Sequence, residues 1–176
     1  MLSRMMGAAL LRSETFEEVE RDGGATIQAL LVVIFVTVAG IVGAILSSVE
    51  DVEVARALVL GIIRGVASWA IWALATWLVG SKLLKTQATE ADWGQLARTT
   101  GFAQTPGILS ILLFIPVVGG LISLVAFVWS FVAMMIGVRQ ALDYTSTWRA
   151  FFVILIAFIP VIILNGIIFA LLGVWD

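Results

Sequence analysis

The 176-residue chain contains no cysteine and no histidine. Disulfides, Cys/His zinc sites, thiol catalysis and histidine-ligated haem are excluded, because each of them needs one of these two side chains. Charge is also scarce: 12% of the residues are charged, against about a quarter in a soluble domain. These absences remove much of the metal, redox and water-facing chemistry before any motif is considered.

Apolar residues are what the chain has in excess. They make up 61% of the sequence, and the mean hydropathy is +1.12. A packed core of this length cannot hide so much apolar surface from water, so the lipid bilayer is the remaining solvent. The composition therefore predicts an integral membrane protein.

Five apolar runs come close to the length of about 20 residues that a membrane-spanning helix needs. They are Ile27–Leu46, Ala57–Gly80, Leu96–Pro116, Leu121–Val138 and Ala150–Leu172. The alternative of one helix over 105–138 would be far longer than a hydrocarbon core of about 30 Å. Pro116, Gly119 and Gly120 favour a turn there instead. We predict an all-α protein with five transmembrane helices.

Residues 1–24 precede these runs and form a predicted cytoplasmic segment, while residues 25–176 form the membrane domain. Apolar and charged side chains alternate at helical spacing in the segment, which predicts a short amphipathic helix at the membrane interface. The apolar run at 5–11 is short, and charged residues follow it where a cleavage site would be needed. We therefore expect no secretory signal and take Met1 as the mature start.

The basic residues indicate the orientation in the membrane. Eight of the ten lie in segments that a cytoplasmic N-terminus would place inside the cell: Arg4, Arg12, Arg21, Lys82, Lys85, Arg98, Arg139 and Arg149. Cytoplasmic loops of membrane proteins are enriched in Lys and Arg. We therefore expect the N-terminus inside the cell and the C-terminus outside.

Arg64 lies in the outer half of the second run. An ionisable group inside a span is costly and is a functional candidate by default. Two interpretations stay open. In the first, its side chain extends outward to Glu50, Asp51 or Glu53. In the second, it has a partner at similar depth and serves a ligand or an ion; the candidate partners are Asn165 and the carbonyls freed near Pro160.

A second polar group is predicted at the cytoplasmic ends of the later runs. This structural polar cluster comprises Arg98, Gln104, Arg139, Gln140, Asp143 and Arg149. We expect Arg98 and Asp143 to form an ion pair at about 4 Å; the alternative is that each charge faces water at the end of a span. Pro106 also frees a carbonyl near Phe102, which a Thr or Gln side chain would satisfy.

Motifs for catalysis and for ion coupling are missing from the chain. There is no G-x-x-x-x-G-K-[ST], no G-x-S-x-G, and no acidic residue between residues 54 and 89. Proton relays and cation-coupled transporters usually need Asp, Glu or His inside the bilayer. Trp69, Trp72, Trp77 and Trp129 suggest a pigment or sterol pocket at first, but such residues more often face lipid or fill a core. We expect no enzyme activity and no cofactor other than a bound lipid.

Residues 98–150 carry a pattern that resembles a known family. The pattern consists of Gly101 and Phe102 followed by Pro106, an Ile-Pro-x-x-Gly turn with Pro116 and Gly119, Trp129, and the sequence RQALD at 139–143. It is similar to the YIP-domain (Ypt-interacting protein) family in its compact bacterial form, and the similarity covers roughly residues 1–172.

The resemblance implies five spans with a cytoplasmic N-terminus, as the basic residues also indicate, and for a bacterial member it implies the inner (plasma) membrane. Eukaryotic members act in membrane trafficking and contact Rab-type GTPases. They carry a long cytoplasmic N-terminal region with an Asp-Leu-Tyr-Gly-Pro element. This chain lacks that element, which argues against a Rab-type GTPase partner.

Three functions are compared on these grounds. The first is a non-enzymatic scaffold, accessory subunit or membrane organiser that works through contacts with lipids, with other membrane proteins or with itself, and not with nucleic acid. The second is a small channel or transporter whose path is lined by Arg64 or by Arg98, Gln104 and Asp143. The third, a lipid-modifying enzyme, lacks a nucleophile–base pair and a metal set, so the first is preferred.

Overall fold

The computed structural model describes residues 1–48 and 53–171, and all regular secondary structure in these ranges is helical. The helices are α1 (Leu2–Ala9), α2 (Ser13–Arg21), α3 (Ala25–Ser47), α4 (Val54–Leu78), α5 (Trp93–Ala103), a 3-10 helix (Thr105–Phe114), α6 (Val118–Ala141) and α7 (Thr147–Leu171). A π-helical turn at Val79–Leu83 extends α4. The prediction of an all-α chain is confirmed.

Four helices in the described part are long and apolar enough to cross a membrane. They are Ala25–Ser47, Val54–Leu83, Val118–Ala141 and, in α7, Thr147–Leu164. These correspond to the first, second, fourth and fifth predicted runs. The turn expected at Pro116 is present, because the 3-10 helix ends at Phe114 and α6 begins at Val118.

The third predicted run is two helices and not one. α5 ends at Ala103, and the 3-10 helix begins at Thr105. Pro106 lacks the N–H that would bond to the Phe102 carbonyl in an α-helix. The Thr105 hydroxyl donates to that carbonyl at 2.6 Å, as expected from the proline. A 3-10 helix of ten residues is unusually long, since most end within about four.

The third predicted run, Leu96–Pro116, is here called the broken run. It lies alongside α3 over most of its length. A Cβ on Gly101 would lie 2.8 Å from the Cβ of Ala29, and a Cβ on Gly43 would meet the backbone of Ser110 and Ile111. From Ala29 to Gly43 an α-helix advances about 21 Å, and the matching stretch from Gly101 to Ile111 advances about 19 Å. The two segments therefore run parallel and advance by similar distances along the bundle.

α4 and α6 end at the same end of the bundle. The Tyr144 hydroxyl, just after α6, lies 2.9 Å from the carbonyl oxygens of both Gly80 and Leu84, just after α4. The Thr89 hydroxyl donates to the Leu142 carbonyl at 3.1 Å. Because both helices finish there, the chain between them has to return to the opposite end, and α5 with the 3-10 helix forms that return.

The N-terminal segment forms two helices where one was predicted. A turn separates α1 from α2, and Leu11 in it has a φ of 59°. Phe16 and Val19 of α2 are fully buried and belong to the same core as side chains of α3 to α7. A Cβ on Gly137 of α6 would lie 3.2 Å from the Phe16 ring. The apolar side of α2 thus packs against protein, whereas Leu2 and Met6 of α1 are exposed. The interfacial position of the segment and the division of the chain at residue 24 stay predictions.

Candidate functional site

Arg98 binds the C-terminal end of α2. Its Nε donates to the carbonyl oxygens of Val19 at 2.9 Å and Glu20 at 3.1 Å, and its Nη2 also donates to Glu20. Nη1 lies 3.4 Å from the Thr26 hydroxyl. The last carbonyls of a helix have no partner within the helix, and a cation is favourable there. Arg98 is 8% exposed, so this contact is made inside the protein.

The expected ion pair between Arg98 and Asp143 is not among the ion pairs of the described residues. Asp143 follows the end of α6, has a φ of 52° and is exposed. Arg98 instead fills its donors with backbone carbonyls. The partner of Arg98 is therefore another helix end and not a carboxylate.

Two other members of the predicted cluster also hold α2. The Arg139 Nη2 lies 3.3 Å from the Ser13 hydroxyl, and the Gln140 amide donates to Glu17 at 2.8 Å. The remaining members lie elsewhere. The Arg149 guanidinium stacks over the Tyr144 ring at 5.6 Å, and Gln104 lies at the break between α5 and the 3-10 helix.

Further contacts fix α1, so that α1 and α2, here called the N-terminal helix pair, are docked as a unit. Arg4 forms ion pairs of 2.8 Å with Glu18 and with Asp22. The Trp129 indole N–H of α6 donates to the Ala9 carbonyl at 2.7 Å. The pair is thus bonded to α6 at the end of α1, and to α5 and α6 along α2.

Sequence reasoning did not single out Glu20. Its side chain is 8% exposed and accepts a hydrogen bond of 2.9 Å from the Gln95 amide. Burial, and secondarily the charge of Asp143, raise the pKa of Glu20 to about 7. The sequence feature that could have pointed to this contact is the Asp92-x-x-Gln95 capping box, which begins α5 and orients Gln95, the partner of Glu20.

A cavity of about 330 Å³, here called the central cavity, lies at the break in the third run. Gln104 at the break, Trp69 and Trp72 of α4, Ser130 of α6 and Phe158 of α7 are among the residues that line it. The Ser130 hydroxyl is buried and has no hydrogen-bond partner in the described part of the chain. The cavity combines aromatic walls with a few uncharged polar groups.

Side chains bridge α4 to its neighbours across this cavity. The Trp72 indole N–H lies 3.3 Å from the Met134 sulfur of α6. The rings of Trp72 and Phe158 meet edge to face, with centroids 4.9 Å apart. The Trp69 indole N–H is already used, since it donates to the Ala97 carbonyl at 3.0 Å.

Arg64 is half-buried in α4 and makes a contact of its own. Of its predicted partners, Glu50, Asp51 and the side chain of Asn165 lie outside the described residues, and Glu53 is exposed. Both interpretations of Arg64 therefore stay predictions. Among the described residues, no three potential metal-ligating side chains come together.

The residues that carry the family pattern occupy packing positions. Phe102 is fully buried, Gly101 touches α3, and Pro106 begins the 3-10 helix. Pro116 lies in the turn that follows it, and a Cβ on Gly119 would meet the Leu113 backbone. These five positions shape the broken run and its turn.

The helices and the apolar composition define an α-helical membrane protein of several spans. A family model described as the Yip1 domain matches residues 8–171. The chain belongs to the Yip1 domain family, and the resemblance found in the sequence is confirmed. No curated protein and no solved structure matches the chain.

Proposed function

We propose that the protein is a non-enzymatic scaffold or accessory subunit of the membrane, acting through contacts with lipids and with other membrane helices. The observation that carries this proposal is the use of its polar side chains. Arg98, Arg139 and Gln140 form hydrogen bonds to α2 of the N-terminal helix pair. Membership of a trafficking-associated family that is not known for enzymes supports the same conclusion.

The proposal includes five crossings of the membrane, with the broken run as the third. Two observations support it. The broken run lies parallel to α3 and advances by a similar distance, and α3 is itself a candidate span. α4 and α6 end together, so an odd number of crossings has to lie between them.

α2 of the N-terminal helix pair then lies at the cytoplasmic face of what we propose is a bacterial inner membrane, while the end of α1 reaches Trp129 near the middle of α6. α2 shares one end of the bundle with Arg98, Arg139 and Arg149, as the contacts of α2 and Tyr144 require. The clustering of basic residues at that end favours the cytoplasmic side. A cytoplasmic N-terminus and an outside C-terminus follow from it.

A groove on α6 is the surface that we propose for a partner helix. It has a volume of about 530 Å³ and includes Leu11, Leu124, Val125 and Val128. These three α6 side chains are more than half exposed. A membrane helix of another protein, or of a second copy, fits this apolar surface by packing alone, since lipid offers no hydrophobic force between helices.

The test is a photo-crosslinking amino acid placed at Val125, activated in native membranes. We expect one cross-linked product of constant mass, identified by mass spectrometry as another membrane protein or as a second copy. The matched control is Leu155 of α7, which is 51% exposed. A single partner-free monomer in native mass spectrometry, with the same diffuse cross-linking at both positions, would contradict the proposal.

The channel alternative has less support. Arg98 is bonded to a helix end, Gln104 lines the central cavity and Asp143 is exposed in a turn. Of the three, Gln104 alone is among the described residues that line the central cavity. Arg64 keeps the alternative open, and flux through liposomes that is altered in an Arg64→Ala variant would favour it.

A further inference from the structure

We propose that the central cavity binds one uncharged amphiphile of the membrane, with a single hydroxyl or carbonyl group on an apolar chain. This inference is independent of the proposed scaffold role. It depends on the size of the cavity, on the chemistry of its lining and on a polar atom that the fold leaves without a partner.

The size suits one small lipid-like molecule. A volume of about 330 Å³ holds about eleven groups of the size of a water molecule, which occupies ~30 Å³. It lies at the lower end of the range of about 300–1,000 Å³ for ligand pockets. An alkyl chain of about ten carbons with one oxygen fits this space.

The walls are suited to an apolar chain. Trp72, Phe131 and Phe158 contribute aromatic surface, and Met134 contributes a flexible thioether. Methionine adapts its shape to irregular ligands. Because α4 and α6 meet here through the Trp72–Met134 contact, a chain inserted beside it is held between the two helices.

Polar groups at the break suit one uncharged head. Gln104 brings a carboxamide to the lining, and Thr37 of α3 brings a hydroxyl. The Ser130 hydroxyl has no hydrogen bond to lose, so turning about its χ1 angle toward a ligand costs no existing bond. Buried polar groups are nearly always bonded, so the unpaired Ser130 hydroxyl is open to a ligand that reaches the cavity.

The chemistry of the lining excludes a charged head. None of the described residues that line the cavity is charged. A buried ion without a partner costs several kcal/mol or more, so a carboxylate or a phosphate would not stay there. Phe127 on the rim is 63% exposed, which leaves a way in from the surface that lipid covers.

The experiment uses the purified full chain in phosphatidylcholine liposomes with a dodecanol that carries a diazirine. After illumination, labelled peptides are identified by mass spectrometry. We expect labelling concentrated on Trp72 and Met134. Labelling spread evenly over exposed positions of α6 and α7 would overturn the proposal.

Two serines of α6 provide matched variants. Ser130→Phe fills the cavity and should reduce labelling of Trp72 to the level of lipid-exposed positions. Ser123→Phe is the control, because the Ser123 hydroxyl is also buried and unpaired among the described residues, but Ser123 is not among the residues that line the cavity. Equal labelling in both folded variants would overturn the proposal.

The head group is tested with a variant that leaves the cavity in place. Gln104→Leu should weaken competition by unlabelled dodecanol about fivefold, the equivalent of one hydrogen bond, and should leave competition by dodecane unchanged. Dodecanoate, charged at neutral pH, should compete poorly with the wild-type protein. Stronger competition by dodecanoate than by dodecanol would show that the site takes an anion, and it would overturn the uncharged class.

Discussion

Gly43 of α3 lies against the backbone of the 3-10 helix and not against side chains. A Cβ at this position would meet the Ser110 carbonyl oxygen and lie 3.1 Å from the Ile111 Cα. A flexible side chain can move away from an added methyl group, but a backbone held by its own helix moves only with that helix. The close contact between α3 and the 3-10 helix therefore depends on this glycine.

Gly43→Ala should lower the stability of the purified protein by about 1–3 kcal/mol through overpacking. The control is Gly40→Ala, one turn earlier, where the nearest atom to a new Cβ is the Ser110 Cβ at 4.0 Å. Both changes gain the same helix propensity of about 1 kcal/mol, so their difference isolates the clash. Melting temperatures in detergent measure it, and equal values for the two variants would contradict the contact.

Glu20 gives the molecule a pH dependence whose sign can be derived. Its pKa rises from 4.5 to about 7, because burial and then the charge of Asp143 disfavour the carboxylate. Glu17 acts in the same direction, whereas Arg21 and Arg98 oppose it. The folded chain binds this proton more tightly than the unfolded chain does. The contribution of Glu20 to the stability of the fold is therefore greatest below pH 4.5, and it is lost as the pH rises through 7.

Glu20→Gln removes the titrating group and keeps a side chain that can bond to Gln95. The variant should melt higher than the wild type at pH 8, by the equivalent of at most about 3 kcal/mol, and the difference should shrink at pH 5. Glu14→Gln on the exposed side of α2 is the control. A constant difference at all pH values would show that the pKa of Glu20 is not raised.

At the scale of elements, α2 depends on a cation that comes from another helix. Arg98 satisfies the carbonyls of Val19 and Glu20. Arg98→Ala leaves these groups buried without a donor, which costs about 1–3 kcal/mol for each. We expect the N-terminal helix pair to detach, so that a protease cuts near Arg12 in the folded variant.

Asp143→Ala is the matched variant, because it tests the ion pair between Arg98 and Asp143 that the sequence predicted. If Arg98 depended on Asp143, both variants should detach the pair. Since Asp143 is exposed, we expect its removal to leave the protease pattern unchanged. Cleavage near Arg12 in both variants would support the ion pair and contradict the contact with the end of α2.

The sequence predicted the helices whose limits are set by composition, and it failed where geometry decides. Apolar runs and the Pro116 turn placed α3, α4, α6 and α7. An apolar run of one length fits an α-helix or a 3-10 helix equally well, so the change at Gln104 was not predicted. The partner of Arg98 was missed because backbone carbonyls leave no mark in a sequence.

The polar residues were found as a set, but their contacts were not. Arg98, Arg139 and Gln140 were expected near the ends of spans, and they do lie at one end of the bundle. Their common partner is α2, in the segment before the first span for which amphipathicity predicted a position at the membrane interface. Periodicity shows that a helix has an apolar side, and only the fold shows what covers that side.

At the scale of the whole molecule, the absence of cysteine makes the topology simple to test. Single cysteines at Gln87 and Val117 lie before and after the broken run, in exposed positions. If that run crosses the membrane, a membrane-impermeant maleimide should label Val117→Cys in intact cells and Gln87→Cys only after permeabilisation. Ser3→Cys should behave like Gln87→Cys, and labelling of all three from one side would rule out five crossings.

The bond between Trp129 and Ala9 has a consequence for how the protein is made. The two residues are 120 positions apart in the chain. At about 5–20 residues per second, a ribosome needs roughly 6–24 s to add that length. Until α6 has emerged, Phe16 and Val19 lack the part of their packing surface that α6 supplies, so we expect the N-terminal helix pair of the nascent chain to stay incompletely packed during this interval.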